Sequence, residues 1–286
     1  MTAVAATRPD TAPHVALPSA LSLGLARTRI ELTQFFRARD AVIFIFAYPI
    51  IMLAIFATVF GSGGSELGPD GAQVPFAQYF LPGMIATGIF LSSFQNLAIG
   101  IAEERDAGGL KRLRGTPLPS SAYFLGKIGS VLTTSVIQLA LLLAVAATMF
   151  GVDMPTDAGR WFTLAWVFVL GTASGVICGI GFSSLPGSAR SANAIVTPVV
   201  LVLQFISGVF FTFDSLPGWM QDLSSAFPLK WLAQGMRSVF LPDAFTSLEP
   251  AGSWQHGTTA AVLAAYLVVG LAVAVRTFRW RRRDDG

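Results

Sequence analysis

The chain has 286 residues, 53% of them hydrophobic and only 12% charged, with 23 phenylalanines, two histidines and one cysteine. A soluble domain carries about 25% charged residues, so no sizeable soluble domain fits here. Cys178 alone excludes an intrachain disulfide, and His14 and His256 lie too far apart in sequence to suggest a metal site.

Residues 1–18 contain Pro9, Pro13 and Pro18, lack periodicity and have no apolar signal-peptide core, so a disordered tail is expected. The pattern then changes. Leu21, Leu25, Leu32, Phe35 and Phe36 share one face of a 3.6-residue wheel, while Arg27, Glu31, Gln34 and Arg37 fall elsewhere. This predicts an amphipathic helix lying in the headgroup plane before the first membrane span.

All 19 basic and 16 acidic residues lie outside six long uncharged stretches. An ion at mid-membrane costs about 2.5–3.5 kcal/mol on insertion scales, so spans read as charge gaps. Each gap is long enough for a helix to cross a hydrocarbon core of about 30 Å. The spans are placed at 42–60, 79–102, 123–150, 161–185, 194–213 and 258–278. The expected fold is an all-α polytopic membrane protein, with one transmembrane domain over 19–286.

Proline interrupts three spans, at Pro49, Pro82 and Pro198, where it frees a carbonyl and bends the axis. Gly171, Gly175 and Gly179 form a small-residue ridge that lets another helix come close. The loop 103–122 is the most polar part of the body. Gly108-Gly109 and Pro117 with Pro119 bracket a short basic amphipathic turn containing Leu110, Lys111, Arg112, Leu113 and Arg114. The segment 214–257 is long for a connection. Pro228 divides its apolar part, 217–241, into two expected short helices that dip into or cap the outer leaflet, with Trp219, Trp231 and Trp254 suited to the interface.

With the N-terminus inside, sixteen of the 19 basic residues fall on the cytoplasmic side, and only Arg160, Lys230 and Arg237 remain outside. The positive-inside rule therefore puts both termini in the cytoplasm of a multi-pass plasma-membrane protein. The basic balance is explained by topology, not by nucleic acid.

Enzymatic motifs are absent. The sequence has no G-x-S-x-G, no P-loop and no acidic or histidine residue placed inside a span for intramembrane catalysis. Ion-coupled carriers place ionisable groups at that depth. Uphill transport by this chain would then draw its energy from outside the membrane domain.

Two blocks of sequence resemble the type-2 ABC transporter permease family, in particular its daunorubicin- and multidrug-resistance-type exporters. The first comprises Glu103-Glu104-Arg105, Gly109-Leu110, Arg112-Leu113, Thr116-Pro117 and Gly126-Lys127. The second comprises Ser207-Gly208-Val209-Phe210-Phe211, Leu216-Pro217-Gly218-Trp219, Pro228-Leu229 and Arg237. Gly108-Gly109 departs from the single glycine of many relatives.

The resemblance implies a transport subunit without its own ATPase site. Its partners would be a cytoplasmic ABC ATPase dimer, which holds ATP and magnesium, and a second permease subunit, the same chain or a sister. Membrane lipids and a hydrophobic or amphipathic substrate complete the set. Glu103, Glu104, Arg105, Gly109, Leu110, Arg112, Leu113 and Pro117 would form the ATPase-coupling loop, with Leu110, Leu113 and Arg112 making the contact. The substrate pathway would run over Phe90, Phe94, Gln95 and Asn96 on span two and Gln204, Phe205, Ser207 and Phe210 on span five. Pro217, Trp219 and Trp231 would form an outer gate. The competing readings are a secondary transporter or channel without a nucleotide partner, and a membrane sensor using the same inner loop.

Overall fold

The computed structural model describes residues 18–61 and 66–278. Of the expected disordered tail only Pro18 falls among them, and Arg279, Arg281, Arg282 and Arg283 lie outside the described residues. The fold is all-α and polytopic. Helix α1 (Ala20–Arg37) is capped by Ser19, whose hydroxyl accepts the Ser22 N–H at 3.2 Å. Helix α2 (Arg39–Gly61) follows, then a minimal antiparallel hairpin of β1 (Glu66–Leu67) and β2 (Val74–Pro75).

The next helix is a composite running Phe76–Asp106. It consists of α3 (Phe76–Phe90), a π turn (Leu91–Gln95) and α4 (Asn96–Asp106). After the short α5 (Gly109–Arg114) come α6 (Ser120–Met149), α7 (Ala158–Phe182) and α8 (Ala189–Ile206). Helices α9 (Gly218–Ser225) and α10 (Pro228–Phe240) precede α11 (His256–Thr277). Six of these helices are long and apolar enough to cross a membrane: α2, the α3–α4 composite, α6, α7, α8 and α11.

Two spans end three or more residues short of the sequence reading. Helix α7 stops at Phe182 and α8 at Ile206, short of the predicted 185 and 213. The cause in α8 is Gly208, whose φ of +68° turns the chain out of the helix while the sequence stays apolar through Val209, Phe210 and Phe211. A charge gap cannot register such a turn.

The α3–α4 composite is the buried axis of the bundle, with α7 beside it. The glycine ridge of α7 explains their proximity. A Cβ on Gly175 would sit 2.0 Å from Ser93 Oγ, and one on Gly179 would sit 3.0 Å from the Ser93 and Phe94 carbonyls. The same ridge seats Leu232 of α10 against Gly171. Every residue of α10 is buried, wedged among α3, α7 and α11.

Helix α1 packs against α6 with a face that the sequence reading placed in solvent. Arg27 and Thr28 lie over Gly126 and Gly129, and Gly24 meets Leu125. Leu21, Leu25 and Phe36 remain exposed. The polar side therefore docks on the bundle and the apolar stripe is left for lipid, the arrangement an interfacial helix needs at the edge of a protein.

Proline chemistry fixes the meeting point of α2, α3 and α6. Pro49 has no N–H, so the Ile45 carbonyl four residues earlier loses its helical partner. Gln138 of α6 donates Nε2–H to that carbonyl at 2.9 Å. Its Oε1 accepts the Ser92 hydroxyl at 2.8 Å, within the π turn. Interhelical hydrogen bonds in membrane proteins average about 0.6 kcal/mol and reach about 1.7. Gln138→Leu removes two and strands one carbonyl, so it is expected to destabilise the fold by about 1–2 kcal/mol. Thermal unfolding of the purified chain in detergent should show a lowered midpoint, and an unchanged midpoint would refute the bridge.

Candidate functional site

The face that bears α1 and the α4–α6 loop carries a compact set of charges. Glu104 comes from the end of α4, Lys127 and Tyr123 from α6, and Arg27 and Glu31 from α1. Lys127 Nζ lies 2.8 Å from Glu31 Oε2 and also donates to Glu104 Oε1. Arg27 Nη2 sits 2.5 Å from Glu31 Oε1 and 3.9 Å from Glu104 Oε1. The buried Tyr123 hydroxyl donates to Glu104 Oε2 at 2.9 Å. Glu31 and Lys127 are only 8% and 6% exposed, so the four charges depend on one another for compensation. Helical periodicity placed Glu31 off the apolar face and gave it no partner. A signal for its pairing is its i, i+4 spacing with Arg27.

The end of α4 is tied to the start of α8. Arg105 Nη2 donates to the Pro186 carbonyl at 2.9 Å, and Asp106 Oδ2 accepts the Ala189 N–H at 2.7 Å. A carboxylate at a helix N-terminus satisfies a free N–H and complements the helix dipole. Asp106 was not among the sequence candidates.

Gly108, with φ +72°, makes the sharp turn into α5. A Cβ on Gly109 would sit 3.1 Å from the Glu104 carbonyl, so the two glycines do separate jobs. Leu110 is fully buried with Ile101, Tyr123 and Ile180, where it anchors the loop. Leu113 is half-buried against the same cluster. Glu103, Lys111, Arg112, Arg114 and Pro117 are exposed, and Arg112 Nη2 donates to the Ala107 carbonyl at 3.1 Å.

The eight residues proposed for a pathway do not share one surface. Gln95, Asn96 and Gln204 line a groove of about 330 Å³ with Tyr48 and Thr197, between α2, the π turn and α8. In it Tyr48 donates its hydroxyl to Gln204 Oε1 at 2.9 Å. Phe90 and Phe94 face another way, into an almost wholly apolar groove of about 330 Å³ with Phe182, Leu203 and Tyr266. Helical spacing is the reason: at 3.6 residues per turn Phe90 and Phe94, four apart, share one side, and Gln95 and Asn96 fall on others.

Phe210 lies beyond the end of α8, stacked with Phe56 at 5.6 Å and tilted against Phe80 at 6.1 Å. Phe205 is exposed and contacts Phe210 at 4.9 Å, whereas Ser207 is buried where α8 ends.

On the opposite face, the outer-gate candidates separate as well. Trp219 is 63% exposed and Pro217, which starts α9, is exposed too. Trp231 is buried and donates Nε1–H to the Ser225 carbonyl at 2.7 Å. Charges that the sequence reading assigned to an outer loop are inside the protein here. Arg237 pairs with Glu249 at 2.6 Å and donates Nη1–H to the Gly208 carbonyl at 3.1 Å. This closes the chain reversal after α8.

Lys230, 2% exposed, donates Nζ–H to Gln234 Oε1 at 2.5 Å and lies 3.7 Å from the Trp231 ring. Burial pushes its pKa down to about 8, with Glu249 opposing and Arg237 reinforcing the shift. Between about 8 and its ordinary value of 10.5, the unfolded chain binds the proton and the folded chain does not. Stability is therefore expected to rise with pH across that window. Comparing unfolding midpoints in detergent at the two ends checks it, and Lys230→Met should flatten the rise.

The sequence profile described as ABC-2 type transporter matches residues 25–241. Among curated proteins, the chain is 24% identical over 198 residues to the inner membrane transport permease YadH of Escherichia coli K12, covering 68% of this chain and 74% of that one. It is 24% identical over 172 residues to the probable multidrug ABC transporter permease YbhR of the same strain, covering 60% and 46%. It is 25% identical over 241 residues to the daunorubicin resistance ABC transporter permease protein DrrB1 of Streptomyces coeruleorubidus, covering 81% and 77%. With six membrane-crossing helices and a family match over most of its length, the chain belongs to the ABC-2 type transporter family as a membrane permease subunit.

Proposed function

We propose that this permease is the membrane half of an ATP-driven exporter that moves hydrophobic or amphipathic substrates, drug or lipid-like, out of the cytoplasm or inner leaflet. It works as two permease subunits with a dimer of cytoplasmic ABC ATPases, which bind ATP and magnesium. Both termini and the α4–α6 loop face the cytoplasm of a plasma membrane. The orientation rests on the basic residues of that face, and the export of drugs rests on likeness to the relatives named for multidrug and daunorubicin resistance.

One observation supports this reading above the others. The α4–α5 corner is pinned to the body by Leu110, presents Lys111, Arg112 and Arg114 outward, and connects through Asp106 to the first residue of α8. A partner pushing on α5 therefore moves α4 and the start of α8 together. Those two elements border the Tyr48–Gln204 groove, where Gln95 also reaches Thr197 at 3.4 Å. The clustered Arg27, Glu31, Glu104 and Lys127 make α1, α4 and α6 respond as one unit.

Two variants separate docking from transmission. Arg112→Glu reverses an exposed charge and is expected to weaken capture of the ATPase by the purified permease. Asp106→Ala leaves the exposed face intact. It is expected to keep ATPase binding while lowering substrate-stimulated hydrolysis about 5-fold or more in proteoliposomes, the usual range of coupling between sites. Unchanged behaviour of both variants would remove the loop assignment. Solute accumulation driven by an ion gradient, with this chain alone in the vesicle, would favour the secondary-transporter reading.

A further inference from the structure

A second cavity adjoins the Tyr48–Gln204 groove. It holds about 210 Å³ between α1, α2, the π turn and α6, and both Ile45 and Asn96 line it as well as the groove. Glu31, Lys127, Ser130 and Thr134 are among its lining residues. This volume is several times what one water needs and falls below the roughly 300–1,000 Å³ of a pocket for a whole drug-sized ligand. The adjoining groove, about 330 Å³, adds Phe44, Leu91 and Leu201 to its polar points. The two clefts share Ile45 and Asn96, and the first is the richer in polar side chains.

We infer that these joined clefts seat an amphiphile with an uncharged, hydrogen-bonding head, a polyol or an amide, its apolar body lying between α2 and α8. The inference rests on the permease reading and narrows its cargo.

The charge balance selects the head. Lys127 is already engaged by the Glu31 and Glu104 carboxylates, and Glu31 is also engaged by Arg27. An anionic head would face Glu31, and a cationic head would face Lys127. Each would have to break an ion pair that is more than nine-tenths buried at both ends. What remains uncommitted is neutral. The Gln34 and Asn96 side-chain amides line the cavity and make no hydrogen bond to the described residues. Lys127 has three donors, two of them directed to carboxylates. Amides that both donate and accept match hydroxyl and amide groups, which do the same.

The test uses the full chain in phosphatidylcholine nanodiscs, without nucleotide or ATPase. The probe is radiolabelled octyl glucoside below its micelle-forming concentration. Octyltrimethylammonium and octyl sulfate, of equal chain length, serve as charged comparisons. Saturable glucoside binding is expected, with a Kd about five-fold or more below that of either charged analogue. Asn96→Leu and Gln34→Leu should each weaken it about five-fold, the worth of about one neutral hydrogen bond. Val268→Ala, on the exposed side of α11, should not change it. Gln34 is exposed on α1, so its variant keeps the test valid if Asn96→Leu fails to fold.

Absence of saturable binding would overturn the inference. So would equal or tighter binding of a charged analogue, or indifference to both substitutions. Because no partner is present, such a failure leaves the permease reading standing. Loss of ATP-driven transport with binding intact would sink that reading alone.

Discussion

A polar group cut loose from a helix in a low-dielectric interior must find another partner, and this bundle is organised around that demand. Three helix interruptions show the same solution. The Ile45 carbonyl released by Pro49 is taken by Gln138 of α6. The Gly208 carbonyl, where the chain leaves α8, is taken by Arg237 of α10. The Val239 and Leu241 carbonyls at the end of α10 are taken by Arg160 of α7, at 3.3 and 2.9 Å. Each bond joins elements distant in sequence, so satisfying the backbone also fixes which helices are neighbours.

The same bonds divide the bundle into a fixed part and an adjustable part. The α3–α4 axis, α7 and α10 share glycine contacts and a continuous apolar core, and little can shift there without collision. Helices α2, α8 and α11 bury far less of their surface. Helix α8 joins the axis through Val196, Val200, Leu203 and Ile206 in the apolar core and through the Gln95–Thr197 and Asp106–Ala189 links. With 33% of it buried, against 61% of α7, it has more room to shift than the packed ridge. In the proposed mechanism, α8 is accordingly the element that responds when the α5 corner is displaced.

Much of this was legible in the sequence because charge is expensive in a membrane. Gaps in charge gave six spans, and the Gly171–Gly179 ridge gave a close approach whose partners proved to be the π turn and α10. What stayed hidden depends on pairing. Glu31, Lys127, Arg237 and Glu249 look like ordinary surface charges until the fold brings each to its opposite, because burial of a charge is decided by the partner and not by the residue. The π turn was equally hidden. Leu91–Gln95 has no proline or glycine to announce it.

Ionisable machinery for coupling must change its charge state or its partner during a cycle. The buried charges near the α4–α6 loop form mutually neutralising pairs, as do Arg237 and Glu249. Lys230 differs, since its near partners are an amide oxygen and an aromatic ring, but α10 holds it on the face opposite the loop. No described carboxylate or histidine lines the two clefts that share Ile45 and Asn96, apart from Glu31, which Arg27 and Lys127 already compensate. A proton or sodium ion entering those clefts would thus meet no free anionic ligand. The groups that are open to a driving partner, Lys111, Arg112 and Arg114, stand outside the bundle on a helix that Leu110 couples to its interior. That placement is why the proposal puts the source of work in a second protein.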